Sequence, residues 1–464
     1  MNFRIGAALL LAYALSVSTE LAQAQDAAAV STTTGTVVVQ KADGSSHPLA
    51  PGAMVQVGEV IATQPNSSTR LKFTDGGELT MTSNSRFKID AYSFSTAAPK
   101  TDHIAIRLLK GGLRSITGLI GKRGNQDAYR LQATTATIGI RGTDFMARLC
   151  EEDCAKEMAQ APSDAPPIAP DISARVAQLA GKAAAIDKMG KSRPLSVGSA
   201  VYQGDIVETE EKSHVLLVFV DEGRVTVQAD TRLVVEQFRY EPARPQQGQS
   251  VMRLLRGGMR AQTGLLAKGH AQGYRVETVT ASIGVAGTGF DVSCRGACVG
   301  ELVRPGAPPK PEAPSSADDT SDGLFVNTWQ GEVEVKNPAG TQTVGVGQTV
   351  RVSAKDSAPA LLPALPAFMR DAPGPRPDGV RINVQQLLGA VNKTESGLYV
   401  LVKAGKILLT QGRRVLELSR GESAYLSTDG SLLYRLRLPP SEVFRELLTP
   451  PPRKLLGIPN CSRN

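Results

Sequence analysis

Five cysteines are the residues of this chain whose spacing points most directly to chemistry. Cys150 and Cys154 form a C-x3-C pair, and Cys294 and Cys298 form a second pair with the same spacing. In an oxidising compartment each pair predicts a local disulfide that closes the tip of a hairpin. A metal site needs about four ligands, whereas the two pairs lie in different repeats and the four histidines are scattered. We therefore expect two disulfides and neither metal nor other cofactor, with Cys461 left as a free thiol or an intermolecular partner.

Basic residues are the second group that could take part in binding. They cluster in two corresponding stretches, each of which runs from the residue before a Gly-Gly step to the conspicuous β-strand pattern that follows it. The candidate ligand-binding residues are Lys110, Arg114, Arg130, Arg141, Arg256, Arg260 and Arg275. One hypothesis is a groove for an anionic glycan or an acidic partner. The alternative is that these side chains pair with acidic residues on neighbouring strands.

Catalytic motifs are missing from the sequence, which contains no G-x-S-x-G, H-E-x-x-H or P-loop pattern. The glycine-rich run at 284–289 (GVAGTG) lies in a strand pattern with no helix after it, so a phosphate-binding loop is not expected. Acidic pairs such as Glu151-Glu152 occur in loop-like stretches, where solvated charge explains them. We predict no catalytic residues and a protein that is not an enzyme.

A duplicated strand must position these groups. TTATIGIRGTDF at 134–145 returns as VTASIGVAGTGF at 279–290. Ala136, Ile138 and Ile140 alternate with small or polar residues, which predicts a β-strand with one buried face. The Gly-Thr step that follows predicts a bulge or a close backbone approach.

The duplication extends over more than a hundred residues, at an offset of 146 that falls to 145 at the core strand and 144 at the cysteines. A smaller repeat relates 323–353 to 397–427 at an offset of 74. TRLKF at 69–73, DGG at 75–77 and ELTM at 78–81 predict a β-hairpin. Two short helices are expected, at 384–391 with Asn383 as cap and at 441–448.

Composition and the N-terminus restrict the class of protein. In 464 residues the aromatic share is 5 %, with 45 glycines and 29 prolines, which favours an all-β chain with linkers. Arg4, the apolar run 5–17 and Ala22-Gln23-Ala24 predict a signal peptide cleaved near Ala24; a membrane anchor is the alternative. We expect a periplasmic or secreted protein without a transmembrane segment. The formal charge of +8 comes without the basic helix or aromatic platform of nucleic-acid binders, so no nucleic-acid partner is predicted.

The predicted domains follow from the repeats and from Pro-rich stretches. They are a signal peptide at 1–24, module 1 at 30–154, a linker at 155–174, module 2 at 175–300, a Pro-rich linker at 301–322, closing strands of module 2 at 323–358, a Pro-rich joint at 359–380 and a C-terminal hairpin repeat with short helices at 381–450.

The motif order in both modules resembles the FecR domain. The matching residues are Gly35, Val37, Val39, Gly58, Ile61, Thr63, Phe73, Asp75, Gly76, Ser85, Arg86, Leu108, Gly111 and Thr135 to Phe145. The resemblance implies an all-β fold, solenoid-like or a twisted sandwich, and a non-enzymatic role in periplasmic sensing or binding. The founding regulator has a cytoplasmic arm that contacts a sigma factor and a membrane helix behind it. We find neither in this sequence.

Module 2 departs from the motif, since Arg141 becomes Ala286 and Asp144 becomes Gly289. We expect Arg141 and Asp144 to form a structural ion pair that module 2 does without. The function we expect is binding or scaffolding in the cell envelope, with an envelope protein or an anionic cell-wall polymer as partner. The alternatives are an envelope glycan or peptide hydrolase and a purely structural spacer.

Overall fold

The computed structural model describes residues 26–41, 43–123, 128–133, 136–151, 153–154, 172–242, 244–285, 287–300, 322–390 and 395–448. The strands in this part form two hydrogen-bonded sheets. The first sheet contains β1 (Asp26–Thr34), β2 (Val37–Gln40), β3 (Ser46–Pro48), β4 (Met54–Gln56), β5 (Val60–Thr63), β6 (Ser68–Phe73), β7 (Glu78–Met81), β8 (Arg86–Ser93), β9 (His103–Ile116), β10 (Tyr129–Ala133), β11 (Ala136–Cys150), β29 (Gly397–Gln411), β30 (Arg414–Ser419), β31 (Ser423–Ser427) and β32 (Leu433–Leu436).

The second sheet is built from the strands between β11 and β29. It contains β12 (Ile172–Ala180), β13 (Ala183–Ile186), β14 (Ser192–Pro194), β15 (Ala200–Tyr202), β16 (Ile206–Thr209), β17 (His214–Phe219), β18 (Arg224–Val227), β19 (Arg232–Arg239), β20 (Gln249–Gln262), β21 (Tyr274–Glu277), β22 (Ser282–Val285), β23 (Gly289–Arg295), β24 (Gly323–Gln330), β25 (Val333–Asn337), β26 (Gly340–Val344), β27 (Thr349–Val352) and β28 (Ala360–Leu362). The expectation of an all-β protein is therefore confirmed. Since β12 begins at Ile172, the last three residues of the linker predicted at 155–174 lie in a strand, and most of that linker lies outside the described residues.

The two sheets are nested along the chain. β11 pairs antiparallel with β29, from Thr137 opposite Thr410 to Cys150 opposite Gly397. In the second sheet the corresponding strands pair with the strands that come next in the chain. There β23 pairs with β24, and β22 pairs with β25. The smaller repeat thus supplies the same closing strands to both sheets, and the whole second sheet is inserted before the first one is completed.

Each sheet folds into two layers around one core, because its long strands bend at glycines. Residues Ser250–Arg253 of β20 pair with β21 in one layer, whereas Gly257–Gln262 pair with β23 in the other. Gly257 lies at the bend with φ +83°, and Gly111 bends β9 at φ +73°. A backbone with positive φ favours glycine because a side chain would clash with its own carbonyl.

Hydroxyl groups hold these bends in both sheets. At each bend a Ser or Thr of a neighbouring turn accepts a hydrogen bond from the amide that follows the glycine. The pairs are Thr36 N to Ser67 Oγ (2.9 Å), Gly112 N to Ser85 Oγ (2.8 Å), Thr143 N to Thr117 Oγ1 (2.8 Å), Lys182 N to Ser213 Oγ (2.9 Å), Gly258 N to Thr231 Oγ1 (2.9 Å) and Thr288 N to Thr263 Oγ1 (2.8 Å). The Gly-Thr step of β11, at residues 142–143, is therefore one of six bends that share this hydrogen bond.

The core strand and the hairpin have the predicted form. Ala136, Ile138 and Ile140 are buried, and the register of β11 shifts between Arg141 and Asp144, as expected for a bulge at the Gly-Thr step. β6 and β7 pair antiparallel across a turn in which Gly76 has φ +83°. Thr134 and Thr135 lie outside the described residues.

Short helices complete the fold. Four α-helices are described, at Leu265–Gly269, Ala367–Arg370, Val384–Leu388 and Ser441–Leu448. The Asn383 side chain accepts a hydrogen bond from the Gln386 amide at 3.0 Å, which confirms the predicted cap, and the helix ends three residues earlier than expected. Within the described ranges, no helix combines the length and apolarity needed to cross a bilayer.

Candidate functional site

The predicted disulfides close at both C-x3-C pairs. Cys150 and Cys154 are bonded, and so are Cys294 and Cys298. Both bonds are buried, at the ends of β11 and β23. Among the residues with described positions, no group of three or more His, Cys, Asp or Glu is placed to hold a metal ion. Cys461 lies outside the described residues.

The predicted basic residues are divided between the two layers. Lys110 precedes the bend of β9 and Arg114 follows it, so their strand segments belong to different layers. Arg256 and Arg260 are separated in the same way by Gly257. Arg130 on β10 shares the layer of Lys110 because β10 pairs with the first half of β9. Arg275 on β21 likewise shares the layer of Arg256, and Arg141 has no described side chain.

Arg114 binds the carboxylate that was expected to pair with Arg141. Its Nε and Nη2 donate to the two oxygens of Asp144 at 2.9 and 2.6 Å. This bidentate pair raises the pKa of Arg114 through the hydrogen bonds from its guanidinium to Asp144. Arg114 reaches Asp144 diagonally across two neighbouring strands, since Arg114 of β9 lies opposite Met146 of β11 and Asp144 lies opposite Ile116.

Arg260, the counterpart of Arg114, binds backbone carbonyls. Its Nη1 donates to Gly374 O at 3.0 Å and its Nη2 to Met369 O at 3.1 Å. Asp291 lies 3.9 Å from its Nε, and burial raises the pKa of that carboxyl. The guanidinium therefore holds a separate stretch of chain against the sheet.

That stretch is residues 366–380, which we call the strap. It crosses the outer face of the second sheet, which we define by Arg224, Thr226, Arg260 and Trp329. Arg224 Nη1 donates to the carbonyls of Pro377 and Val380 at 3.1 and 2.9 Å, and Thr226 Oγ1 donates to that of Pro375 at 2.9 Å.

Aromatic contacts fix the strap at two more points. The guanidinium of Arg376 lies 4.1 Å from the Trp329 ring centroid. Phe368 packs edge-on against Phe325, with ring centroids 5.1 Å apart. The sequence predicts a Pro-rich joint at 359–380, which includes this stretch. Its prolines, which have no N–H and favour an extended backbone, were the signal that could have suggested a segment held by its carbonyls.

A cleft lies on the opposite layer of the second sheet, next to Arg256. It has a volume of about 630 Å³, and the acidic residues that line it are Glu208, Glu210, Glu211 and Asp230. The corresponding positions of the first sheet are Ala62, Gln64, Pro65 and Asn84, none of them acidic. Lys110, the counterpart of Arg256, therefore lies in a less acidic environment.

The closing strands of the first sheet contact the second sheet through ionic groups. Glu422, before β31, forms a buried ion pair with Arg175 of β12, and Arg435 Nε lies 3.1 Å from the same carboxylate. Arg437 Nη1 lies 2.6 Å from Glu222 of the second sheet. These contacts connect the two sheets.

Two crystal structures, at 1.65 and 2.50 Å resolution, of a "putative anti-sigma factor" from Parabacteroides distasonis ATCC 8503 are similar to part of the chain. Each is 14% identical, with a TM-score of 0.24, and the match covers 34% of our chain and 59% of theirs. A TM-score of this size carries no argument about function. Comparison with curated proteins gives no match.

A family model described as "FecR protein" matches the chain twice, at residues 59–158 and 205–303. The two matched stretches contain the core strands, the bends at Gly111 and Gly257 and both disulfides. The chain therefore contains two FecR domains, and the second is inserted in the chain before the closing strands of the first.

Proposed function

We propose that this FecR-domain protein is exported and acts in the cell envelope by binding, as a scaffold within a sensing pathway, and not by catalysis. One observation supports binding above all. The outer face of the second sheet holds a proline-rich segment through three side chains that donate to five backbone carbonyls. A sheet face of this kind recognises extended chains with little demand on their side chains, which suits a scaffold.

Export rests on the sequence pattern at 1–24 and agrees with the disulfides. Disulfides persist in oxidising compartments and are rare in the cytosol. We expect fractionation of cells expressing the full chain to recover the protein outside the cytoplasm with Gln25 at its N-terminus. A cytoplasmic protein that retains Met1 would contradict export.

The binding surface we propose for an anionic envelope polymer is the layer of the first sheet that carries Lys110 and Arg130. The counterpart Arg256 lies beside the acidic cleft, where the acids oppose an anionic ligand. Arg114 and Arg260 are unsuitable for a test, because reversing their charge breaks contacts with Asp144 and with the strap.

Retention on purified peptidoglycan tests this proposal. We expect Lys110→Glu to reduce retention about tenfold at low ionic strength and Arg256→Glu to leave it nearly unchanged. Equal retention of the wild type and both variants would remove the polymer as the partner. Release of soluble fragments from the peptidoglycan would contradict the non-catalytic role.

A further inference from the structure

The turn that precedes β27 in the second sheet has a close counterpart before β31 in the first. At the offset of 74, Gln348 corresponds to Glu422. Gln348 Oε1 accepts a hydrogen bond from the Gly345 amide at 2.8 Å, and Glu422 Oε2 accepts one from the Ser419 amide at 2.6 Å. A neutral amide thus closes this turn as a carboxylate does, so the turn does not need the negative charge of Glu422.

The other carboxylate oxygen of Glu422 contacts an arginine of each sheet. Arg175 Nη2 of the second sheet donates a hydrogen bond to Oε1, and Arg435 Nε of the first sheet lies 3.1 Å from the same oxygen. We call these three residues the triad. The side chains of Arg175 and Glu422 are only 9% and 6% exposed. Removal of one partner from a buried ion pair leaves an uncompensated buried charge, which strongly disfavours the contact.

More exposed contacts surround the triad. The Tyr202 hydroxyl donates a hydrogen bond to the Arg420 carbonyl at 3.2 Å. Arg437 Nη1 lies 2.6 Å from the Glu222 carboxylate, whose side chain is 42% exposed. Ion pairs with an exposed partner contribute little to stability. Among the described ionic contacts between the sheets, we therefore expect the buried triad to matter most.

The positions that correspond to the triad elsewhere in the molecule carry no charge. At the offset of 146, Arg175 corresponds to Ala29 of the first sheet, and at the offset of 74 Glu422 corresponds to Gln348 of the second. A second copy docked in the same way would bring Gln348 to Ala29, and these two residues cannot form an ion pair. The triad therefore fits a contact between the two sheets of one chain.

The triad lies next to the strands that complete the first sheet. β31 begins at Ser423, directly after Glu422, and pairs with β29, which is the partner of β11. The same short segment thus closes the first sheet and contacts the second. While the triad is intact, a movement of the closing strands is transmitted to the second sheet.

We propose that Glu422 is a latch that joins the two sheets into one rigid unit, and that the sheets move independently once its charge is removed. Glu422→Gln tests the latch directly, because Gln348 shows that a glutamine keeps the hydrogen bond of the turn. The latch goes beyond the proposed function, since it concerns motion within one chain and is tested on the purified protein without any envelope partner.

The distance between spin labels on the two sheets measures this motion. Labels are attached at Asp43→Cys and Met189→Cys, exposed turn positions of the first and second sheet, in the mature chain with both disulfides and with Cys461→Ser. We expect double electron–electron resonance to give one narrow distance distribution for this protein. Glu422→Gln should make the distribution at least about twofold broader, because two arginines then lie buried without their carboxylate.

Further variants separate release of the latch from misfolding. Labels at Met189→Cys and Val346→Cys both lie on the second sheet, and Glu422→Gln should leave the distribution of their distance unchanged. Gln348→Glu, the opposite exchange at the corresponding turn, should leave the distribution between the sheets narrow. Arg175→Met, which removes the arginine of the second sheet, should broaden it as Glu422→Gln does.

Three results would overturn the latch. The first is a broad distribution between the sheets in the labelled protein without further substitution. The second is an equally narrow one in Glu422→Gln and Arg175→Met, and the third is equal broadening by Gln348→Glu. If Glu422→Gln also disturbs the label pair within the second sheet, Arg175→Met decides alone. Broadening confined to the pair between the sheets then supports the latch, and any other result overturns it.

Discussion

At the scale of single residues, neighbouring strands determine what each charged side chain does. Arg114 and Arg260 are equivalent in sequence, but one binds a carboxylate and the other two carbonyls. The difference comes from partners that are distant in the chain, Asp144 for Arg114 and the strap for Arg260. An Arg in a repeated motif therefore keeps its place in the fold and changes its contact.

The Arg114–Asp144 pair should stabilise the first sheet measurably. We expect a double-mutant cycle with Arg114→Ala and Asp144→Ala to give a coupling of about 1 kcal/mol, because the pair is bidentate and partly exposed. Urea denaturation of the four proteins measures it. Arg253 and Glu236 form a matched pair with more exposed side chains, and we expect a smaller coupling there; the reverse order would contradict the argument.

Asp221 should make stability depend on pH. Burial raises the pKa of this carboxyl from 3.8 to about 6, against the lowering effect of hydrogen bonds from the Gly223 and Leu266 amides. Because the folded-state pKa is raised, its stabilising contribution is complete below the unfolded-state pKa and is lost as the pH rises through about 6.

The variant Asp221→Asn tests this dependence. We expect the wild type to lose up to about 3 kcal/mol of unfolding free energy, relative to the variant, between about pH 4 and pH 7. Urea denaturation at several pH values in that window measures the difference. Parallel pH profiles for the two proteins would show that Asp221 is not the group responsible.

At the scale of elements, the bends decide whether two layers can form. Gly111 has φ +73°, and a Cβ there would lie 2.7 Å from the carbonyl oxygen of Asn84. We expect Gly111→Ala to lower the unfolding free energy by roughly 3 kcal/mol, from backbone strain and the clash with main-chain atoms. Gly76 has φ +83° with nothing within 4 Å of the added Cβ. Gly76→Ala should therefore cost only about 1 kcal/mol, and similar costs for both variants would contradict the packing argument.

The disulfides act at the same scale. Each joins cysteines separated by four residues, so the loop-entropy contribution is about 2 kcal/mol. We expect Cys150→Ser with Cys154→Ser to lower stability by that amount without changing the strand content seen by circular dichroism. A loss of β-structure would mean that the bond is needed for folding of β11 itself.

At the scale of the whole molecule, nesting makes the first sheet depend on the end of the chain. β11 pairs along most of its length with β29, which follows the entire second sheet. A chain that ends at residue 380 should therefore have a protease-sensitive first sheet and a protected second sheet. A chain with residues 155–394 deleted should instead restore a protected first sheet, because Cys154 then leads directly to the closing strands. Limited proteolysis with mass spectrometry distinguishes the two, and a protected first sheet in the shortened chain would contradict nesting.

The duplication is visible in the sequence, which also predicts the all-β class, the hairpins and the disulfide pairs. Each of these follows from local chemistry, such as alternating apolar residues, glycines in turns and cysteines four residues apart. The likeness of 323–353 to 397–427 was also visible in the sequence.

Which strands those late repeats complete follows from the three-dimensional fold. Antiparallel pairing depends on which edge is open in space, and β11 offers its edge to strands more than two hundred residues later. The positions of the basic residues also depend on the three-dimensional fold. The bends at Gly111 and Gly257 place residues that are close in sequence in different layers. Side-chain partners across sheets, such as the strap on Arg260, follow from packing that no local pattern encodes.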